Sequence, residues 1–143
     1  MEMETIYNKV WTTYDDFEAY FKALEGHHGI VSVVVGTIED VASLQKSADS
    51  ILYPMLFVHI PDFPMDAGRG TDFSSDLVVL VEKTAASPRQ TAYEITQLVN
   101  AQLFHDARNG LFSFNGKFQV EPKGAHVFSN TVGWLAAFTA GIE

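Results

Sequence analysis

The chain has 143 residues, the size of one ordinary domain, and its 47% apolar and 19% charged composition is that of a packed core and far from that of a disordered chain. It has no cysteine, which excludes disulfides, thiolate metal sites and a cysteine nucleophile. Nine basic against eighteen acidic residues leave a net charge of −9, which repels a phosphate backbone, so nucleic-acid binding is not expected. The opening Met1-Glu2-Met3-Glu4 is acidic where a secretory signal would be basic. No apolar run approaches the ~18 residues that a membrane span needs.

The first periodic segment follows Thr12-Thr13. Phe17, Tyr20, Phe21 and Leu24 recur at helical spacing, with Asp15, Asp16 and Glu18 in the opening turns, where the helix dipole favours negative charge, and Gly26 as the stop. This predicts an amphipathic helix over about 15–24. Residues 30–35, rich in Val and closed by Gly36, read as a short strand. Thr37 can cap a short helix carrying Ile38, Val41, Ala42 and Leu44 on one side. After Pro54, the apolar run Met55-Leu56-Phe57-Val58-His59-Ile60, closed by Pro61, reads as a central strand.

Residues 61–75 hold two prolines, two glycines and no stable period, and they read as a long loop. Loops of that length inside a compact domain tend to be functional. Its Phe63, Met65, Asp66, Arg69, Asp72 and Phe73 are therefore the nominated contact surface, the two aromatics being either interface anchors or caps on the core. Residues 76–82 follow as a second buried strand, nearly continuous in apolar character.

Ser87-Pro88-Arg89-Gln90 places serine at an N-cap, proline at the first helical position and glutamine three residues on, the pattern of a capping box. The helix it predicts runs from Pro88 to Arg108, with Ala92, Ile95, Leu98, Val99 and Leu103 on one face and Asn109-Gly110 at its end. Beyond it, Phe112, Phe114, Phe118 and Val120 alternate with polar residues, and Asn115-Gly116 fits either a tight hairpin or one bulged strand. The last segment puts Trp134, Ala136, Phe138 and Ala140 on one face of a strand and Leu135, Ala137 and Thr139 on the other. The sum is a single α+β domain over 1–143. It has a mostly antiparallel sheet of four or five strands, the long helix on one face, and one or two further helices.

Chemistry is sparse. His27 and His28 are adjacent, which is poor ligand spacing, and His59, His105 and His126 show no partner. Asp62, Asp66, Asp72 and Asp76 lack the spacing and terminal glutamate of a calcium loop. There is no nucleophile elbow, phosphate loop or dinucleotide fingerprint. No metal, cofactor or catalytic residue is expected.

The order of elements, the Tyr53-Pro54-Met55-Leu56 entry into the central strand and the closing Asn130-Thr131-Val132-Gly133-Trp134-Leu135-Ala136-Ala137-Phe138 together resemble phage and prophage tail-terminator and tail-completion (neck) proteins over most of the chain. That family's final strand often carries Asn-x-x-Gly-Trp-x-x-x-Phe, matched here by Asn130, Gly133, Trp134 and Phe138. The resemblance implies a non-enzymatic subunit of a ring, commonly a hexamer, that caps the tail tube and joins it to head-completion proteins. Its place would be the virion tail or neck, after assembly in the host cytoplasm. The alternative is a small-molecule-binding or enzymatic domain with His59 and the loop aspartates lining a cleft between sheet and long helix.

Overall fold

The structure is a computed structural model, and it describes residues 3–37, 52–60, 71–114, 119–123 and 131–142. The elements in chain order are α1 (Tyr14–Lys22), β1 (Ser32–Gly36), β2 (Met55–His59), β3 (Thr71–Glu82), α2 (Pro88–Arg108), β4 (Ser113–Phe114), β5 (Gln119–Lys123) and β6 (Thr131–Ile142). The strands form one sheet in the order β1-β2-β3-β6-β4, with β5 also on β6. Every pairing is antiparallel except the parallel β1–β2 edge. The fold is α+β, as the sequence reading expects. A parallel pair requires its connection to cross over. Residues 38–51 of that connection, with the short helix expected after Thr37, lie outside the described residues.

The centre of the sheet is the β3–β6 ladder, in which all twelve residues of β3 have a partner, from Thr71↔Ile142 to Glu82↔Thr131. Strand β3 thus starts earlier than expected. Residues 71–75, read as the end of a loop because of the Pro and Gly before them, already alternate: Phe73 and Ser75 are buried and Ser74 is exposed. A full-length partner strand makes that alternation decisive.

Alternation also sorts the two faces. Val33, Leu56, Val58, Leu77, Val79, Val81, Ala136, Phe138 and Ala140 point to one side, where Phe17, Tyr20, Phe21 and Leu24 of the α1 region and Ala92, Ile95, Val99 and Leu103 of α2 cover them. Trp11, fully buried, stacks on Phe112 at 4.0 Å and meets Phe17 and Tyr20 edge-on, closing this core beside α1. The other face carries a smaller cluster of Met55, Phe57, Val78 and Leu80, with Val34, Tyr53 and Leu135 at its margin. Val34, Phe57, Val78 and Leu135 form one row across four strands.

Both helix starts were legible, but they are built differently. Thr13 caps α1 through a complete capping box with Asp16. Ser87 instead takes a left-handed conformation (φ 45°) and makes no side-chain cap, while Gln90 bonds Glu94 at 3.0 Å, so the expected capping box is not formed at α2. The serine contributes its carbonyl, which accepts from Thr91 N at 3.0 Å, and Pro88 supplies the preset φ of the first turn. At the far end Gly110, at φ +83°, continues the chain where a side chain would be strained.

Strands β4 and β5 both run antiparallel to β6 along the edge opposite β3, at Ser113↔Gly141 and then Gln119↔Ala137. Two pieces running the same way on one edge are successive parts of a strand, so the hairpin alternative does not hold. Asn115-Gly116 itself lies outside the described residues.

Gly133 is where the ladder is tightest. A Cβ there would lie 2.0 Å from the Val79 carbonyl oxygen and 3.0 Å from Leu80 Cδ2. Gly133→Ala is expected to cost about 1–3 kcal/mol, the range for overpacking a core. Chemical denaturation checks this, and an unchanged unfolding midpoint would show that β3 and β6 can spread there.

Candidate functional site

The densest polar cluster lies on α2. Gln102 and Asp106 stand one turn apart on the face that also carries Val99 and Leu103, and both are 0% exposed. Asp106 is an acceptor for four residues from three parts of the chain. Thr5 Oγ1 donates to Oδ1 at 2.8 Å, Tyr20 OH to Oδ2 at 2.5 Å, Gln102 Nε2 to both oxygens at 3.0 and 3.2 Å, and His105 Nδ1 to Oδ1 at 3.0 Å. A buried carboxylate without such donors would be strongly destabilising. Here its acceptor sites are filled. Burial drives the Tyr20 hydroxyl far above the ordinary tyrosine range, and the negative Asp106 carboxylate adds to the shift, so this phenol stays a donor.

The network fixes proton positions. Gln102 Nε2 also donates to the Glu4 carbonyl at 2.8 Å, which leaves Oε1 as acceptor and assigns the bonding proton to His28 Nε2, 2.9 Å away. His105, donating through Nδ1, presents Nε2 as acceptor to the Asn109 amide at 3.3 Å. An imidazole oriented by a buried carboxylate is the base half of a nucleophilic site. Its open nitrogen, however, meets an amide and no hydroxyl. The assembly is therefore a tie, joining the segment ahead of α1, α1 itself, the α1–β1 turn and α2.

Among the described residues two clefts flank this body. One, of about 360 Å³, runs between Met3, Glu4, Thr5 and Ile6 on one side and His27, His28 and Gln102 on the other. The second, of about 270 Å³, lies at one end of the sheet between Tyr53, Pro54, Val81, Glu82, Thr84, Ala85 and Thr91. Burial raises the Tyr53 hydroxyl, with a further push from Glu82. Neither cleft is lined by a paired nucleophile and base. Among the described residues no three His, Asp or Glu are placed to hold a metal, and no helix is long and apolar enough to cross a membrane.

Of the nominated residues the structure describes Phe73 and the backbone of Asp72. Phe73 is 3% exposed, its ring 5.3 Å from Phe17 and 6.5 Å from Phe138, so it belongs to the core and is no surface anchor. Asp72 lies in β3, its backbone opposite Gly141. Phe63, Met65, Asp66 and Arg69 fall outside the described residues, as does Asp62. His59 and Asp76 share the parity of Phe57 and Val78, which places them on the sheet face away from α2 and not in a cleft beneath it. What the sequence reading missed is the pair Gln102 and Asp106. The available signal was two polar residues in register with Ile95, Val99 and Leu103 on the apolar stripe.

Gly133, Trp134 and Phe138 all lie on β6. Trp134 Nε1 donates to the Arg89 carbonyl at 3.0 Å and its ring meets Tyr93 at 5.0 Å, so it pins the first turns of α2 to β6. Phe138 is buried against Phe21 and Phe73, and Gly133 permits the close approach to β3.

A second tie precedes α1. The Asp16 carboxylate, 2% exposed, receives Lys9 Nζ at 2.7 Å on one oxygen and Thr12 N, Thr12 Oγ1 and Thr13 N on the other at 2.9–3.0 Å. The Lys9 ammonium, then the Thr12 amide, hold the carboxyl well below the usual carboxylate range, and Lys9 is correspondingly raised.

Two outcomes follow. Asp106→Ala, which orphans the Tyr20 hydroxyl and Gln102 amide, is expected to cost about 3 kcal/mol or more, and Tyr20→Phe about 1–3 kcal/mol, with the double variant less than additive. Equilibrium unfolding measures all three, and full additivity would deny the Tyr20–Asp106 coupling. For Asp16 the folded-state value lies below the unfolded one, so its contribution is full above the unfolded carboxylate range, about pH 4, and declines as pH falls further toward the folded value. The stability gap between wild type and Asp16→Asn should therefore narrow below about pH 4 in acid titrations. A gap constant with pH would contradict the charged tie. Comparison of the chain with protein-family models, with characterised proteins and with solved structures gives no match.

Proposed function

We propose that this chain is a structural subunit of a phage or prophage tail, a tail-terminator or neck protein that works by association and not by catalysis. Copies join into a ring, a hexamer by the family resemblance, that caps the tail tube and meets the head-completion proteins. The observation that carries the reading is that the described residues of the family pattern each hold β6 to a different neighbour: Trp134 to the first turn of α2, Gly133 close against β3, and Phe138 beneath Phe21 of α1. Asn130 of the pattern lies outside the described residues. Support also comes from the order of elements and from a polar network whose donors and acceptors are consumed internally. The charge of −9 disfavours contact with the genome passing through such a ring.

A ring interface is heterologous, so each subunit presents two different complementary patches. Phe73 leaves the nominated set because it is buried, while Phe63, Met65, Asp66, Arg69 and Asp72 stay as one side. For the other side the described surface offers Leu52, 62% exposed, and Val31, 44% exposed. Backbone and side-chain bonds hold the two together, since Ser32 Oγ donates to the Leu52 carbonyl and Val31 N to that of Pro54. The apolar cleft beside Tyr53 and Pro54 continues this end of the sheet.

Electron microscopy of the chain mixed with the tail-tube protein of the same phage or prophage tests the proposal. Rings or capped tubes are expected, with Leu52→Asp reducing their number. Uncapped tubes and free subunits at every ratio would overturn it.

A further inference from the structure

The segment ahead of α1 is attached in an uneven way. At one end Trp11 is 0% exposed, its ring packed among Phe17, Tyr20 and Phe112 and its backbone N–H donating to the Leu111 carbonyl at 2.8 Å. At the other end residues 3–7 rest on α2 through the Glu4 carbonyl on Gln102, the Thr5 hydroxyl on Asp106, and the partly buried Ile6 and Tyr7. Between the two, Lys9 is 61% and Val10 44% exposed, and no helix or strand spans them. The cleft of about 360 Å³ is lined by residues 3–6 together with His27 and His28, so among the described residues one flank of the segment faces a gap. Missing contact atoms along such a gap forfeit dispersion attraction that close packing would supply. Trp11 is thus a fixed point, Lys9 stays tethered to Asp16 through the end of its side chain, and the exposed residues 8–10 are a hinge. Residues 3–7 form a strap whose hydrogen bonds through Thr5 and the Glu4 carbonyl are made with side chains of α2, while Ile6 and Tyr7 rest on the core.

We propose that this strap exchanges between copies: residues 3–7 of one subunit leave their own α2 and dock on Gln102 and Asp106 of the next. The occupant's chemistry is given by the structure, since the same five residues already fill that seat within the chain. An exchanged segment makes its original contacts in a second copy, so the exchange costs only the opening of the hinge and is favoured wherever copies are held side by side. Five extended residues reach about 17 Å, which sets how near the next Asp106 must stand to the donor's hinge. The proposal deepens the ring reading and rests on it for its biological setting, but it is measurable without rings.

The absence of cysteine permits a clean test. Glu4 and His27 are both exposed and line opposite walls of the cleft, so Glu4→Cys and His27→Cys leave the Asp106 network intact. A chain carrying both changes, treated with a short bismaleimide, reports the strap on its own body as an internally linked monomer. A concentrated mixture of an epitope-tagged Glu4→Cys chain and an untagged His27→Cys chain reports exchange as a mixed dimer. The expected result is a gain of mixed dimer that rises with concentration, together with loss of the internal link in the double variant at high concentration. An internal link at every concentration with no mixed dimer would overturn the exchange, whatever microscopy shows of rings. Mixed dimers without rings would uphold the strap and remove the tail reading.

Discussion

The twelve-residue ladder between β3 and β6 is the constraint on which the rest of this molecule depends. Its register puts Leu77, Val79, Val81, Ala136 and Phe138 on one side as a continuous floor, and only a long helix can cover a floor of that length. At about 1.5 Å per residue α2 extends roughly 30 Å, which matches the need. Trp134 then fixes the start of the helix and Phe114, 4.9 Å from Phe104, packs beside its later turns. A one-residue slip of β6 would turn Ala136 and Phe138 outward and carry Trp134 away from Arg89, so helix placement and strand register enforce each other.

On that frame the buried polar groups act as ties. Asp106 brings Thr5 and Tyr20, far from it in sequence, to Gln102 and His105 of its own helix, and Asp16 gathers the nearby Lys9, Thr12 and Thr13. A buried carboxylate tolerates no partial solution, because each missing donor leaves part of its desolvation cost uncompensated. The same property limits chemistry. Within this network the ionisable groups are engaged with one another, and His105, oriented as a base would be, faces Asn109. A molecule built this way is suited to presenting a fixed surface, the property a ring subunit requires.

Much of the architecture was legible because local signals and tertiary context agree. The spacing of Phe17, Tyr20 and Phe21, the Pro88 start and Asn109-Gly110 stop of α2, and the alternation in β6 each name one structure. Where they failed, a competing term won. Pro and Gly before Thr71 masked a strand that only its partner reveals, and Ser87 had the residue types of a cap without its dihedral angles. The parallel β1–β2 edge has no local signature at all. The site was less legible still: Gln102 and Asp106 stand on the apolar stripe of α2, which hints at burial, but their partners Tyr20 and Thr5 arrive from elsewhere in the chain, and sequence spacing carries no record of that meeting.

The central claim is that the ladder and α2 form one rigid body on which residues 3–7 are lightly seated. Native-state amide hydrogen exchange tests it most directly, since it resolves opening free energies along the chain. The account predicts that amides in the middle of β3, β6 and α2 exchange only through global unfolding, while those of Thr5 and Ile6 exchange through a far smaller opening that leaves the ladder protected. Equal protection of Thr5 and the ladder would contradict it.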